Sequence, residues 1–181
     1  MDLISILNKV KNAKRIYRDA AAAQILTNPE LLPELIAKVY EIDDPLHIKA
    51  AWVLELVYLE DSSLLDPYIH EFIRGMPLIK HESALRPVSK ICSLWSSYYF
   101  SKRTSKIKLS QTEVEIIISC NFDWLIEAHK TATQVFAMDS LKLWVSEQNW
   151  IQQELKSVLQ KNANLGTSGY RTHARKLLKN L

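Results

Sequence analysis

Leu46-His47-Ile48-Lys49-Ala50-Ala51-Trp52-Val53-Leu54-Glu55-Leu56-Val57-Tyr58-Leu59 is apolar almost all round, with Lys49 and Glu55 as its charged interruptions before the terminal acids Glu60 and Asp61. A helix lying on a surface gathers its apolar residues into one stripe, whereas a helix apolar on every side is sandwiched between layers. One helix pair cannot cover two apolar faces alone, so neighbouring pairs must stack to close a continuous core. The stretch therefore reads as the inner helix of a stacked helical array.

The punctuation around it agrees. Asp44-Pro45, Asn28-Pro29-Glu30 and Asp66-Pro67 place an Asx side chain before a proline at the first helical position, where the missing N–H costs no bond. Only three glycines occur, Gly75, Gly166 and Gly169, which leaves few positions for the positive-φ turns that strand hairpins favour. Reading between the marks gives about ten helical stretches: 2–11, 13–27, 29–41, 46–59, 64–74, 83–100, 111–127, 129–146, 150–162 and 168–180. They group as five pairs. Pro33 and Pro67 occupy matching places in two successive first helices, with Leu35 matching Ile69 and Val39 matching Ile73. In the second helices, Ala20, Ala23 and Leu26 correspond to Ala51, Leu54 and Val57, to Val88, Ile91 and Leu94, and to Val135, Met138 and Leu141. This i, i+3, i+6 stripe predicts the faces that pack against neighbours. The expected fold is all-α, an α-solenoid of about five antiparallel helix pairs in an armadillo-like superhelix, forming one domain over residues 1–181. The first helix and the basic end, Tyr170 to Leu181, would cap it.

A 48% hydrophobic and 24% charged composition over 181 residues is that of an ordinary globular chain and excludes disorder. The longest apolar runs, Ala50 to Leu54 and Ile116 to Ile118, stop far short of the roughly 20 residues a bilayer crossing needs. Met1 to Lys11 has neither an apolar h-region nor a small-residue cleavage site, so no secretory signal is read there and the expected location is cytoplasmic. Cys92 and Cys120 fall inside apolar helical patterns and are expected as core residues. His47, His70, His81, His129 and His173 show neither i, i+4 pairing nor His-Cys spacing, and no nucleotide-binding or serine-nucleophile motif occurs. No metal, no cofactor and no catalytic residue are expected.

Charge is uneven despite a net value of +3. Residues 1 to 26 carry five basic against two acidic side chains, residues 27 to 100 six against eleven, and residues 101 to 181 twelve against seven. The densest basic run, Lys102 to Lys108, joins two helices and reads as a solvated loop. Arg18, Lys49, Arg86, Thr133 and Thr172 each stand two residues before the stripe of a second helix, with Lys130 and Arg171 close to the last two. Such a basic register on inner helices suits an acidic peptide or a phosphate backbone. It equally suits a ladder of inter-repeat ion pairs, for which Asp19, Asp43, Asp44 and Asp123 are candidate partners.

The stretches Asn28-Pro29-Glu30-Leu31-Leu32-Pro33-Glu34-Leu35, Lys49-Ala50-Ala51-Trp52-Val53-Leu54-Glu55, Arg86-Pro87-Val88-Ser89-Lys90-Ile91-Cys92, Phe122-Asp123-Trp124-Leu125-Ile126 and His129-Lys130 resemble a family of short Bacteroidota proteins that often carry the label adenylosuccinate lyase. The resemblance runs nearly end to end and implies a HEAT-like fold. The label implies lyase activity on a purine precursor, although the Gly- and Ser-rich loop with Met-Pro-x-Lys-x-Asn-Pro that marks adenylosuccinate lyases does not occur here.

The candidate binding surface comprises Arg18, Lys49, Trp52, Glu55, Arg86, Lys90, Asp123, Trp124, His129, Lys130 and Arg171. Trp52 and Glu55 are three apart on one helical face, and Asp123-Trp124 repeats the combination of acid and indole. The leading expectation is a non-enzymatic HEAT-like scaffold that binds a protein or peptide through its inner-helix surface. The alternative is a nucleic-acid-binding or base-excision protein resembling the HEAT-like DNA glycosylases. In that scheme Asp123 or Glu55 would stabilise positive charge, Trp52 and Trp124 would stack on a base, and Arg18, Lys49 and Arg86 would clamp phosphate. His129-Lys130 would add a proton donor beside a basic anchor.

Overall fold

The computed structural model of the chain describes residues 2–101, 107–162 and 166–181. Among these residues it is all-helical, with ten α-helices and no strand. Most of the basic run Lys102 to Lys108, expected as a loop, lies outside the described residues. The internal contacts divide the chain into two compact units, Met1–Ile91 and Cys92–Leu181. Among the described residues no helix is long and apolar enough to cross a membrane.

The first unit contains α1 (Leu3–Asn8), α2 (Arg15–Thr27), α3 (Leu32–Tyr40), α4 (Leu46–Glu60), α5 (Ile69–Gly75) and the first half of α6 (Glu82–Ser101). Its centre is α4, which buries His47, Ala50, Ala51, Val53, Leu54, Glu55, Leu56, Val57 and Tyr58 and so has buried residues on all sides. Helices α1, α2 and α3 all pack against it. The start of α4 follows the sequence reading: Asp44 Oδ1 accepts from the Leu46 N–H at 2.9 Å. The other two Asx-Pro sites differ. Asn28 donates its amide to the Gln24 carbonyl at 2.8 Å, closing the end of α2, and Pro29 opens a 3₁₀ turn, Pro29–Leu31, that leads into α3. Asp66 lies inside a 3₁₀ segment, Ser62–Tyr68, whose start is capped by Asp61, since the Asp61 carboxylate accepts from the Ser63 N–H at 3.0 Å. The 3₁₀ segments absorb the proline-rich starts that the sequence assigned to the helices themselves.

Leu35, Val39, Ile69 and Ile73 are all buried, as their matched positions predict. The stripe on α2 is out of phase with its expectation. Ala20 and Ala23 are exposed, and Ala21, Ala22 and Ile25 are the buried set. Four alanines in a row, Ala20 to Ala23, carry no phase of their own, so the choice falls to the larger Ile25 and to the tertiary neighbours. Leu94 is also 39% exposed although Val88 and Ile91 are buried.

Gly75 is required by packing in this unit. A Cβ on Gly75 would lie 2.5 Å from three carbons of the Tyr40 ring. That ring is held in place because the Tyr40 hydroxyl donates to the Phe72 carbonyl at 2.8 Å.

The second unit contains the rest of α6, then α7 (Gln111–Ile126), α8 (Thr131–Trp144), α9 (Asn149–Asn162) and α10 (Ser168–Leu178). A capping box starts α7: the Ser110 side chain accepts from the Glu113 N–H, and the Glu113 carboxylate accepts from the Ser110 N–H. Helix α8 packs against α7, α9 and α10. Trp95 and Trp144 each stack on Tyr99, with centroids 5.2 and 5.7 Å away, and Phe100 meets Trp144 edge-on. Cys92 and Cys120 are buried thiols of the core, as their apolar surroundings in the sequence predict. A small polar knot lies beside Cys92: Trp144 donates to Ser96 Oγ at 3.0 Å, Ser96 and Ser140 share a hydrogen bond at 3.2 Å, and Asn121 donates to Cys92 Sγ at 3.4 Å. Burial pushes the Cys92 thiol above its ordinary pKa, because an apolar interior disfavours the thiolate.

Candidate functional site

The first unit holds six of the candidate residues, Arg18, Lys49, Trp52, Glu55, Arg86 and Lys90. Glu55 stands in α4, whose buried residues lie on all sides, and is 3% exposed. A carboxylate taken out of water in this way is costly unless cations come with it. Two do. Lys90 of α6 donates to Glu55 Oε1 at 2.8 Å, and Arg18 Nη1 of α2 lies 3.9 Å from Glu55 Oε2. The Arg18 and Lys90 side chains are only 13% and 23% exposed, so water screens the group weakly. One carboxylate thereby ties α2, α4 and α6 together. The satisfaction is incomplete: among the described residues neither Glu55 Oε2 nor Arg18 Nε has a hydrogen-bond partner.

Trp52 has a different commitment, set by a proline. Pro87 lies inside α6 and has no N–H, so the carbonyl four residues earlier, that of Ser83, loses its intrahelical donor. The Trp52 indole N–H donates to that carbonyl at 2.8 Å. The indole thus repairs a gap in the neighbouring helix while remaining half-buried. Lys49, three residues before Trp52 on α4, is also half-buried, and Arg86 on α6 is exposed. The expected basic register is therefore split. Arg18 and Lys90 serve Glu55, whereas Lys49 and Arg86 are in no ion pair among the described residues.

Two of the four acidic partners proposed from sequence, Asp19 and Asp44, are employed elsewhere. Asp19 pairs with Arg15 at 3.0 Å on the exposed face of α2, and Asp44 pairs with Lys38 at 3.2 Å.

The second unit holds Asp123, Trp124, His129, Lys130 and Arg171. Asp123 is exposed while Trp124 is 4% exposed, so this acid and indole lie on different faces of α7. Consecutive residues of a helix point about 100° apart, which is why the pairing visible in sequence is not one in space. His129 lies just before α8 and pairs through Nε2 with Glu127 at 3.2 Å. Lys130 is exposed at the start of α8, and Arg171 is half-buried on α10. A neighbouring histidine outside the candidate set, His173, binds Asp139 at 2.7 Å and joins α10 to α8. Among the described residues no three His, Cys, Asp or Glu side chains form a group able to hold a metal ion.

Sequence reading did not find the Ser83 carbonyl as a partner for Trp52, although Pro87 carried the signal, since any proline inside a helix frees the carbonyl of residue i−4. No family model, curated protein or solved structure matches the chain.

Proposed function

We propose that the chain is a non-enzymatic, HEAT-like α-solenoid scaffold of the cytoplasm that binds an acidic protein segment through its inner-helix surface. The observation that carries this reading is the division of labour around Glu55. The carboxylate that a base-excision scheme would use is buried between Arg18 and Lys90, and the Trp52 N–H is taken by the Ser83 carbonyl. Outside these bonds α4 presents the half-buried Lys49 and Trp52 and α6 the exposed Arg86, a combination suited to holding a peptide carboxylate beside an apolar side chain. The succession of even-numbered helices supports stacked pairs: α2 packs on α4 and α4 bonds α6 in the first unit, and α6 bonds α8 and α8 packs on α10 in the second.

A fluorescein-labelled amphipathic peptide of leucine and glutamate is the test. Binding should be followed by anisotropy and lost in a Lys49→Ala, Arg86→Ala chain. Affinity unchanged by those two substitutions removes the proposal.

Nucleic acid is the second reading, favoured by α10. It carries Arg171 near its start, Arg175 and Lys176 in its last turn and Lys179 at its C-cap, and no acidic side chain occurs after Glu154. Duplex DNA binding that weakens steeply with salt and with neutralisation of Arg175, Lys176 and Lys179 would establish it, and no binding at low salt would end it. The lyase activity implied by the resemblance makes a separate demand, fumarate release from adenylosuccinate.

A further inference from the structure

The second unit exposes two apolar side chains, Trp150 and Ile126, on its odd-numbered helices, beside a buried third, Phe122. Trp150 of α9 is 48% exposed and stacks on Phe122 of α7, with centroids 5.8 Å apart and planes 22° from parallel. Ile126, one turn beyond Phe122, is 57% exposed. The Trp150 indole N–H also donates to Gln148 Oε1, so the ring is held on two sides. Ile126 continues from this platform into a pocket of about 300 Å³, whose walls include Gln134, Asn162, Gly166 and Tyr170. Gln134 shapes that pocket by donating to the Leu125 and Glu127 carbonyls, both at 3.3 Å, at the end of α7. An exposed tryptophan held on two sides near a concave pocket has the form of an interface anchor, because little side-chain entropy remains to be lost on binding.

The charges around it select the partner. In the segments 119–130 and 147–154, which span one turn either side of these residues, the charged side chains are Asp123, Glu127, Lys130, Glu147 and Glu154, with His129 paired to Glu127. Four of these five are acidic, and all five are exposed. We infer that this surface docks a cationic amphipathic segment of a partner protein, which places an aliphatic side chain in the pocket behind Ile126, covers Trp150, and sets lysines or arginines against the four carboxylates. The surface belongs to the second unit alone, and the inference does not depend on what α4 and α6 bind.

The experiment uses the full chain carrying Lys49→Ala and Arg86→Ala, which removes the inner-helix face from the readout. The probes are two labelled amphipathic peptides with identical leucines, one with lysines and one with glutamates at the polar positions. The lysine peptide should bind and the glutamate peptide should bind at least about tenfold more weakly. Trp150→Ala and Ile126→Ser should each weaken the lysine peptide about tenfold, the effect of losing a central anchor. Both sites are exposed, and unchanged circular dichroism confirms that folding is retained. Asp123→Lys with Glu154→Lys should reverse the peptide preference. Equal binding of the two peptides overturns the inference, as does lysine-peptide affinity unaffected by Trp150→Ala and Ile126→Ser. A homodimer seen by light scattering that Trp150→Ala dissociates also overturns it, because the occupant is then a second copy of the chain.

Discussion

Trp52→Phe removes one hydrogen-bond donor and part of one ring, and the structure says what each loss is worth. The Ser83 carbonyl has no intrahelical donor because Pro87 stands where that donor would be, so the indole supplies the bond at 2.8 Å. An acceptor left unsatisfied in a buried place costs about 1–3 kcal/mol, and a half-buried one belongs at the lower end, near 1 kcal/mol. The smaller ring adds about 0.5–1 kcal/mol in lost apolar burial. Trp52→Phe should therefore destabilise the chain by about 2 kcal/mol, or lower Tm by about 4–8 °C for a chain of this size.

The same reasoning makes a sharper claim about Pro87→Ala. Alanine restores an N–H that donates to the Ser83 carbonyl, so the Trp52 N–H becomes redundant and Trp52→Phe loses its polar component. Pro87→Ala also changes unfolded-chain entropy and ring strain, but those effects are common to both backgrounds and cancel in a double-mutant cycle. The coupling between the two sites should be about 1 kcal/mol, with the Trp52→Phe cost smaller when it is made together with Pro87→Ala. Urea unfolding monitored by circular dichroism measures all four corners. Additivity to within about 0.3 kcal/mol would refute the account of why Trp52 is placed there.

Three further outcomes follow from the first unit. Glu55→Gln removes the charge that holds Arg18 and Lys90. A fully buried pair broken in this way costs about 3–5 kcal/mol, and with Lys90 23% exposed the loss in urea unfolding should be about 2–3 kcal/mol, partly regained by adding Lys90→Met. Gly75→Ala drives a methyl group into the anchored Tyr40 ring and should cost about 1–3 kcal/mol, read as a lowered Tm. His47 is buried edge-on to His81 at 6.2 Å, and burial first, then the charge of His81, lowers its pKa below the ordinary 6.5. The unfolded chain therefore takes up a proton that the folded chain resists, so stability is full above pH 6.5 and falls as pH drops below it. The slope of Tm against pH between neutrality and acid should be shallower in His47→Gln, and an equal slope would assign the acid sensitivity elsewhere.

The helices were legible because their signals are local. Asp44 with Pro45 and the all-round apolar character of 46–59 each act within a few residues, and the helix start and core appear where those residues put them. The Asx-Pro rule failed at Asn28 for a local reason too: the same amide that accepts at a helix start donates at a helix end, and Gln24 offered a free carbonyl. At Ala20 to Ala23 the sequence holds no phase information at all. Four equal methyl groups fit either face, and the decision belongs to the helices that pack against α2.

The charged residues of the candidate site could be named from the sequence but their pairings could not, for a reason that concerns distance along the chain. Arg18 has Asp19 beside it, and a local rule assigns the nearer acid. Asp19, however, lies on the exposed side of α2, where Arg15 reaches it one turn away and water competes for it. Glu55 is 37 positions from Arg18 and 35 from Lys90, but it is the carboxylate that loses its water when α4 is buried. Desolvation raises the cost of leaving a charge unpaired, so the buried acid draws the half-buried cations and the surface acid takes what remains. The same ranking applied to the sequence would have chosen Glu55 before any aspartate, since it is the acid embedded in the longest all-round apolar helix. Which cations reach it depends on how α2 and α6 stand against α4, and no local pattern encodes that.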